Sequence, residues 1–247
     1  MRSILSSCLA VALVFGAAAP AFSADFSINP TRVELNAKKA VDTITLVNGE
    51  DRDISFEVTL TKWSQDANGQ WSEVPSKDLV VYPALLKMPT KGKGIVRVGT
   101  KDKSVVAPAV EGTYRLSIQE LPGGPSPEGT AVRLLTKVSL PIFITPVTST
   151  KQLSLSAAGS ASGLNLTIKN QGTVHMNPQE AKIQFLDAAG KSLGEATKLP
   201  NNTDYVLAGA SSTIKTVWPA NCSAIKTVKL DLAEDKELQA PVSGSCK

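Results

Sequence analysis

The sequence predicts an all-β protein organised as two β-sandwiches in tandem, and three observations predict it. Apolar–polar alternation of period two recurs along the chain, turn residues punctuate it at sandwich spacing, and no amphipathic helix precedes Pro146. In the first half the strand signals are D-T-I-T-L-V-N (42–48), D-I-S-F-E-V-T-L-T-K-W (53–63), D-L-V-V-Y-P (78–83), I-V-R-V (95–98) and G-T-Y-R-L-S-I-Q-E-L-P (112–122). The segment W-S-Q-D-A-N-G-Q-W (63–71) reads as a hairpin. An Asn-Gly step such as Asn68-Gly69 supplies the positive φ angles of tight hairpin turns. That hairpin would bring Trp63 and Trp71 together as a cross-strand aromatic pair.

The segment G-T-A-V-R-L-L-T-K-V-S-L-P-I-F-I-T-P (129–146) reads as one long strand. Val132, Leu134, Val138 and Leu140 share one face, while Arg133, Lys137 and Ser139 share the other. A long apolar strand between two halves suits a segment that serves its own core and someone else's. From Val147 the composition turns to Ser, Ala, Thr and Asn. The second set of strands follows: Q-L-S-L-S, L-N-L-T-I-K-N, A-K-I-Q-F-L-D, S-T-I-K-T-V-W and K-T-V-K-L-D-L. The junction between the sandwiches falls at 145–149. The predicted units are a first sandwich over 24–146 and a second over 147–247.

Residues 1–23 carry a basic Arg2, an apolar run from Leu9 to Ala19 and a small-residue end. This predicts a secretory signal peptide cleaved after Ser23. The apolar run is too short for a comfortable membrane span, and no second long run follows, so no membrane insertion of the mature chain is expected. Removing 23 of the 247 residues leaves 224, which suits one large or two small domains. The whole chain carries a formal charge of +4, and losing Arg2 leaves +3, which gives no case for nucleic acid. Two cysteines survive cleavage, Cys222 and Cys246. In an oxidising compartment an even pair near one end predicts a disulfide, with about 3 kcal/mol of stabilisation on the chain-entropy account.

Catalytic chemistry is not apparent. The single histidine, His175 in N-Q-G-T-V-H-M-N-P, is expected at a surface or edge position, with no partner at metal-ligand spacing. No G-x-S-x-G elbow occurs. The K-G-K-G turn (91–94) lacks the spacing of a phosphate loop and a following helix. Glu111, Glu120 and Glu128 are scattered, and nothing in the sequence pairs them for acid–base work. The expectation is a protein that is not an enzyme, with no catalytic residues, no metal and no cofactor.

Four segments resemble one family in order and spacing. S-I-N-P-T-R-V-E-L (27–35) with the I-T-L-V-N strand after it resembles the opening of PapD-like periplasmic pilus (fimbrial) chaperones. Y-P-A-L-L-K-M-P-T-K-G-K-G-I-V-R-V (82–98) resembles that family's proline, apolar pair, turn and V-R-V pattern. Y-R-L-S-I-Q-E-L-P (114–122) is similar to the strand that ends in E-[IL]-P, and 129–146 is similar to the family's donor strand. The loop before that strand is short, unlike that of family members with a long loop there, and the S-L-P-I-F-I-T-P ending and the W-S-Q segment are similar to the archaic, spore-coat-protein-U-associated type. The resemblance covers about 26–146 well and the remainder only in strand pattern and in the position of the cysteine pair.

This resemblance implies two immunoglobulin-like β-sandwich domains in a periplasmic chaperone. Such a protein binds pilus subunits by donor-strand complementation and delivers them to an outer-membrane usher. It implies that Val132, Leu134 and Thr136 fill a subunit groove, and that Val138 and Leu140 stay in the chaperone's own core. It also implies a basic pair in the interdomain cleft that grips the subunit's C-terminal carboxylate. Arg32 is the first of that pair, placed by the family on its first strand. The second is not fixed by alignment, because the strand ends K-V-S-L-P-I-F-I-T-P; Lys137 is assigned, with Arg133 as the alternative. A secreted adhesin or structural pilus subunit is the competing reading. A sugar-binding module using a tryptophan platform is a third.

Overall fold

The computed structural model describes residues 25–100, 102, 104–123, 134–200, 205–219, 221–232 and 236–246. The predicted signal peptide, with Val132 and Arg133, lies outside the described residues. Seventeen strands and two single-turn 3-10 segments are present, with no α-helix among the described residues. The strands are β1 (Phe26–Asn29), β2 (Val33–Leu35), β3 (Val41–Asn48), β4 (Ile54–Gln65), β5 (Trp71–Pro75), β6 (Val80–Tyr82), β7 (Leu85–Met88), β8 (Lys93–Gly99), β9 (Gly112–Glu120) and β10 (Lys137–Ile144). Then follow β11 (Leu153–Ser160), β12 (Gly163–Asn170), β13 (Lys182–Leu186), β14 (Thr197–Lys198), β15 (Ser211–Thr216), β16 (Thr227–Leu232) and β17 (Lys236–Ser243).

The first sandwich packs the sheet β1-β3-β8-β6 against the sheet β2-β10-β9-β4-β5, with β7 joined to β4. Alternation assigns the faces. Ile44, Leu46, Val96 and Val98 point inward from one sheet, and Phe56, Leu116, Ile118, Leu140, Ile142 and Ile144 from the other. β1 and β2 lie in different sheets, so the chain crosses between them at 30–32. Arg32 therefore sits in the bend before β2 rather than on the first strand.

The second sandwich is a single hydrogen-bonded path, β14-β13-β16-β17-β11-β12-β15, folded over one core that includes Leu166, Ile168, Val228 and Leu230. β17 joins its two halves. It runs antiparallel to β16 over most of its length, then parallel to β11 at Val242 and Ser243. The sequence reading had no strand there, because Pro241 breaks the signal; Pro is tolerated where the ladder changes partner. Cys222 and Cys246 form a disulfide that ties the turn before β16 to the segment after β17, across a separation of 24 residues.

The expected hairpin is present and its register is diagonal. Trp63 lies opposite Glu73 and Trp71 opposite Gln65, so the tryptophans stack as offset neighbours with ring centroids 4.7 Å apart. Asp66 Oδ1 accepts the N–H groups of Asn68 and Gln70, and Gly69 takes φ +84°. The long strand expected over 129–146 is shorter in the described part. The ladder begins at Lys137, and 134–136 lie outside any strand.

The disulfide closes the last strand of the second sandwich, so Cys222→Ser is expected to lower its stability by about 3 kcal/mol. Urea unfolding of the two chains, with the first sandwich as internal control, checks this; an unchanged midpoint for the second sandwich refutes it.

Candidate functional site: the open end of β10 and the cleft beside it

β10 has two different halves. β9 pairs with it along its full length, Lys137 opposite Gln119 through Ile144 opposite Gly112. On its other edge β2 pairs only with Ile142, Phe143 and Ile144. Among the described residues, 137–141 therefore have one open edge. The Glu120 N–H donates to the Thr136 carbonyl at 2.8 Å. Ladder alternation then points the backbone groups of Val138 and Leu140 at β9 and those of Lys137, Ser139 and Pro141 at the open edge. Pro141 offers no N–H, and Lys137 places a charge there; both blunt an edge against indiscriminate pairing.

Side chains divide along the same strand. Leu140, Ile142 and Ile144 are buried in the first core, with Val138 half-buried against it. Upstream, Leu134 is 58% exposed and Leu135 41% exposed, while Thr136 is half-buried. A single carboxylate sets this segment in place. Glu120, 1% exposed, accepts the Thr136 N–H on one oxygen and the Arg52 guanidinium on the other at 2.9 Å. The Arg52 pKa is raised, chiefly by that hydrogen bond to Glu120 and against the effect of burial. The sequence offered Glu120 no partner for acid–base work; in the structure it is a buried pin beside the start of β10.

The closed half of β10 is buried on both faces. Ile142 and Ile144 enter the first core, and Phe143 points the opposite way into a seam between the sandwiches, where it is fully buried. This explains the apolar run P-I-F-I: a strand covered on both sides has no polar face. Trp63 shares the seam, with Leu207, Ala210 and Tyr205 from the second sandwich. Arg115 lies over the Trp63 ring, its guanidinium carbon 4.2 Å from the centroid. The Trp63–Trp71 hairpin reaches across: Gln65 accepts the Leu207 N–H at 3.0 Å. At its tip, a Cβ on Gly69 would lie 2.7 Å from the Ser211 carbonyl oxygen, so only glycine fits there. The tryptophan pair is packed between sandwiches and presents no open platform for sugar.

His175 is in this seam, not at a surface edge. Its ring stacks on Phe143 at 3.7 Å, and both its Nδ1 and its backbone N–H meet Glu111 Oε2, at 2.7 and 2.8 Å. Glu111 also donates its own N–H to the Thr173 carbonyl. The loop carrying His175 is set by Asn170. That buried amide donates to the carbonyls of Val174 and Val206 and accepts the Gly172 N–H. No signal in the sequence could have joined Glu111 to a histidine 64 residues away. No group of three potential metal ligands occurs among the described residues.

Beside the seam lies a cleft of about 450 Å³, lined on one side by Arg32 and Glu34 and on the other by Lys151, His175 and Met176. Arg32 Nη2 is 2.9 Å from Glu34 Oε1, with both side chains about half exposed. The expected basic pair is not brought together. The β2–β10 register, Val33 opposite Ile142, puts Arg32 beside Pro141. Lys137 is four residues further along β10, about 13 Å away at the rise of a strand. It is exposed and does not line the cleft.

Glu111→Ala removes the acceptor for two His175 donors across the seam. It is expected to cost about 1–3 kcal/mol and to open the seam before either sandwich unfolds. Tryptophan emission from Trp63 and Trp71 should shift to the red at denaturant concentrations where strand circular dichroism is intact. Coincident transitions by the two probes would refute it.

Against this geometry the comparisons fall on one family. Residues 25–150 match the family described as pili and flagellar-assembly chaperone, PapD N-terminal domain. Comparison with curated proteins gives no match. Among solved structures, the chain is similar to one in the CsuC–CsuE chaperone–tip adhesion subunit pre-assembly complex of archaic chaperone-usher Csu pili of Acinetobacter baumannii. The identity is 18% over 90% of this chain and 100% of that one, with a TM-score of 0.59. It is similar to the class 5 fimbriae chaperone CfaA at 16% identity over 89% of this chain and 100% of that one, TM-score 0.58. It is also similar to a chain in the Salmonella enterica complex of the SafA pilin with the SafB chaperone, at 15% identity over 90% and 98%, TM-score 0.58. At these identities the structural likeness is one of fold, the two-domain β-sandwich; the match over 25–150 carries the family. The chain belongs to the pili and flagellar-assembly chaperones of the PapD type.

Proposed function

We propose that this protein is a periplasmic chaperone that captures pilus subunits by donating the first part of β10 and the residues before it, and passes them to an outer-membrane usher. The observation that carries this reading is the open edge at 137–141 with exposed Leu134 and Leu135 immediately upstream. A subunit sandwich lacking one strand presents unpaired backbone groups and an apolar groove. Strand addition answers both needs, since the ladder supplies affinity and alternate side chains fill pockets. Val132, Leu134 and Thr136 are the proposed groove-filling residues, with Val138 and Leu140 kept for the chaperone's own core. Arg32, at the cleft next to the closed half of β10, is the proposed grip for the subunit's terminal carboxylate. A guanidinium fork suits that group, and a partly buried carboxylate needs charge-assisted donors.

The reading includes export with cleavage after Ser23, and a division of the mature chain into units over 24–146 and 147–247. A chaperone of this kind needs no catalytic residue and no cofactor. Two complete sandwiches favour it over a structural pilus subunit, which would need an incomplete one.

Two variants test it by co-expression with a pilus subunit and co-purification from periplasm. Burying an aliphatic side chain of this size is worth roughly 1.5–3 kcal/mol, and a charge in its place is left unpaired. Leu134→Asp is therefore expected to abolish capture while leaving the melting temperature of the free chaperone unchanged, because Leu134 is exposed there. If it unfolds the free chaperone, the donor assignment is wrong. Arg32→Ala is expected to weaken capture by about 2–5 kcal/mol, again with the fold intact; complex recovered at the unaltered yield would remove its role.

A further inference from the structure

We infer that Arg52 is a positioning residue for strand donation, standing in an ionic relay that ties the start of β1 to the backbone just before β10. This rests on the reading that this backbone enters a subunit groove. The relay is continuous. The Asp25 N–H donates to Glu50 Oε1 at 2.7 Å, and Arg52 Nε donates to Glu50 Oε2 at 3.3 Å. Arg52 Nη2 donates to Glu120 Oε1 at 2.9 Å, and Glu120 Oε2 accepts the Thr136 N–H at 3.2 Å. Two carboxylates and one guanidinium thus join the N–H groups of residues 25 and 136.

The relay calls for an arginine. One planar fork meets two carboxylates with different nitrogens, a geometry that the single ammonium of a lysine does not reproduce. Glu50 holds the Nε side, which aims the Nη2 side at Glu120. Arg52 also reaches the far end of the segment that leads to β10, since a Cβ on Gly123 would lie 3.8 Å from its Nη1. The guanidinium therefore lies beside residue 123 and acts, through Glu120, on residue 136.

The mount of Arg52 is fixed independently of its side chain. Asn48, 1% exposed, donates to the carbonyls of Arg52 and Pro89 at 2.8 and 2.9 Å and accepts the Glu50 N–H at 2.9 Å. The Lys91 N–H donates to the Glu50 carbonyl at 3.2 Å, and the Gly49 N–H to the Asp25 carbonyl at 2.8 Å. Removing the guanidinium leaves this turn in place and releases its target. Glu120 then loses the cation that compensates its burial. What the relay supplies to capture is order before binding. Both the N–H and the carbonyl of Thr136 are bonded to Glu120, so Leu134 and Leu135 project from a fixed stem. A segment ordered only on binding would lose affinity.

The first test is amide exchange in the free chain. Arg52→Gln is expected to speed exchange at Thr136 by about tenfold, with Val138 and Leu140, bonded to β9, unchanged. Arg52→Lys should recover only part of the protection. Unchanged exchange at Thr136 would mean that there is no relay, and equal acceleration at all three would mean a general loss of stability; either overturns the inference. If Arg52→Gln does not fold, the double variant Arg52→Gln with Glu120→Gln removes the buried charge as well, and the same acceleration is expected from it. The second test is capture of a co-expressed pilus subunit. Arg52→Gln should weaken capture by about tenfold, and by less in a Leu134→Ala background, because residues acting on one segment are not additive. Undiminished capture, or a loss of equal size in both backgrounds, overturns the positioning role while donation by β10 stands. If Leu134→Asp captures the subunit as well as the unaltered chain does, the donor reading fails and this inference fails with it.

Discussion

The constraint on which the rest depends is the unequal edge pairing of β10. β9 holds one edge throughout, whereas β2 is three residues long and covers only 142–144 of the other. Had β2 continued, the sheet would be closed along 137–141 and nothing could add to it. Because it stops, a five-residue stretch has no second partner among the described residues and keeps outward backbone groups in a strand already fixed in register. The fixing is done by Glu120 at one end and by Phe143 at the other, a buried carboxylate and a buried ring. The open stretch is therefore preorganised, so an added strand need not pay for ordering it.

The same strand also helps to set how the two sandwiches meet. Phe143 is on β10 and stacks on His175 from the second sandwich. The Trp63–Trp71 hairpin meets the second sandwich from the other side, through Gln65 and the tip at Gly69. A seam built from aromatic contacts and a part-buried Glu111–His175 hydrogen bond leaves little freedom to change the cleft beside it.

Much of the fold was legible in the sequence because half-buried strands announce themselves by alternation. β3, β4, β8 and β9 could be read off directly, as could β11, β12, β13, β15 and β16. β2 is three residues long, and β17 carries Pro241, so neither gave a period to count. The Asn68-Gly69 turn was readable because its backbone demands that chemistry, but the diagonal register of the tryptophans was not, since it depends on the Asp66-centred loop length. The site divided in the same way. Arg32 and the exposed leucine before β10 follow from motif and parity. His175 and Glu111 did not, because their meeting is made by the packing of two sandwiches and has no local trace. Lys137 was misplaced from the cleft because the sequence cannot show that β2 pairs only with the far end of β10, which puts Pro141 beside Arg32.

Amide hydrogen exchange, resolved residue by residue along β10, tests strand donation most directly. In the free chaperone, Lys137 and Ser139 should exchange fast, since their N–H groups face the open edge, while Val138 and Leu140, bonded to β9, should be protected. On forming a stable complex with a pilus subunit, Lys137 and Ser139 should become as protected as their neighbours. A stable complex in which those two amides still exchange as in the free chain would contradict strand donation by β10.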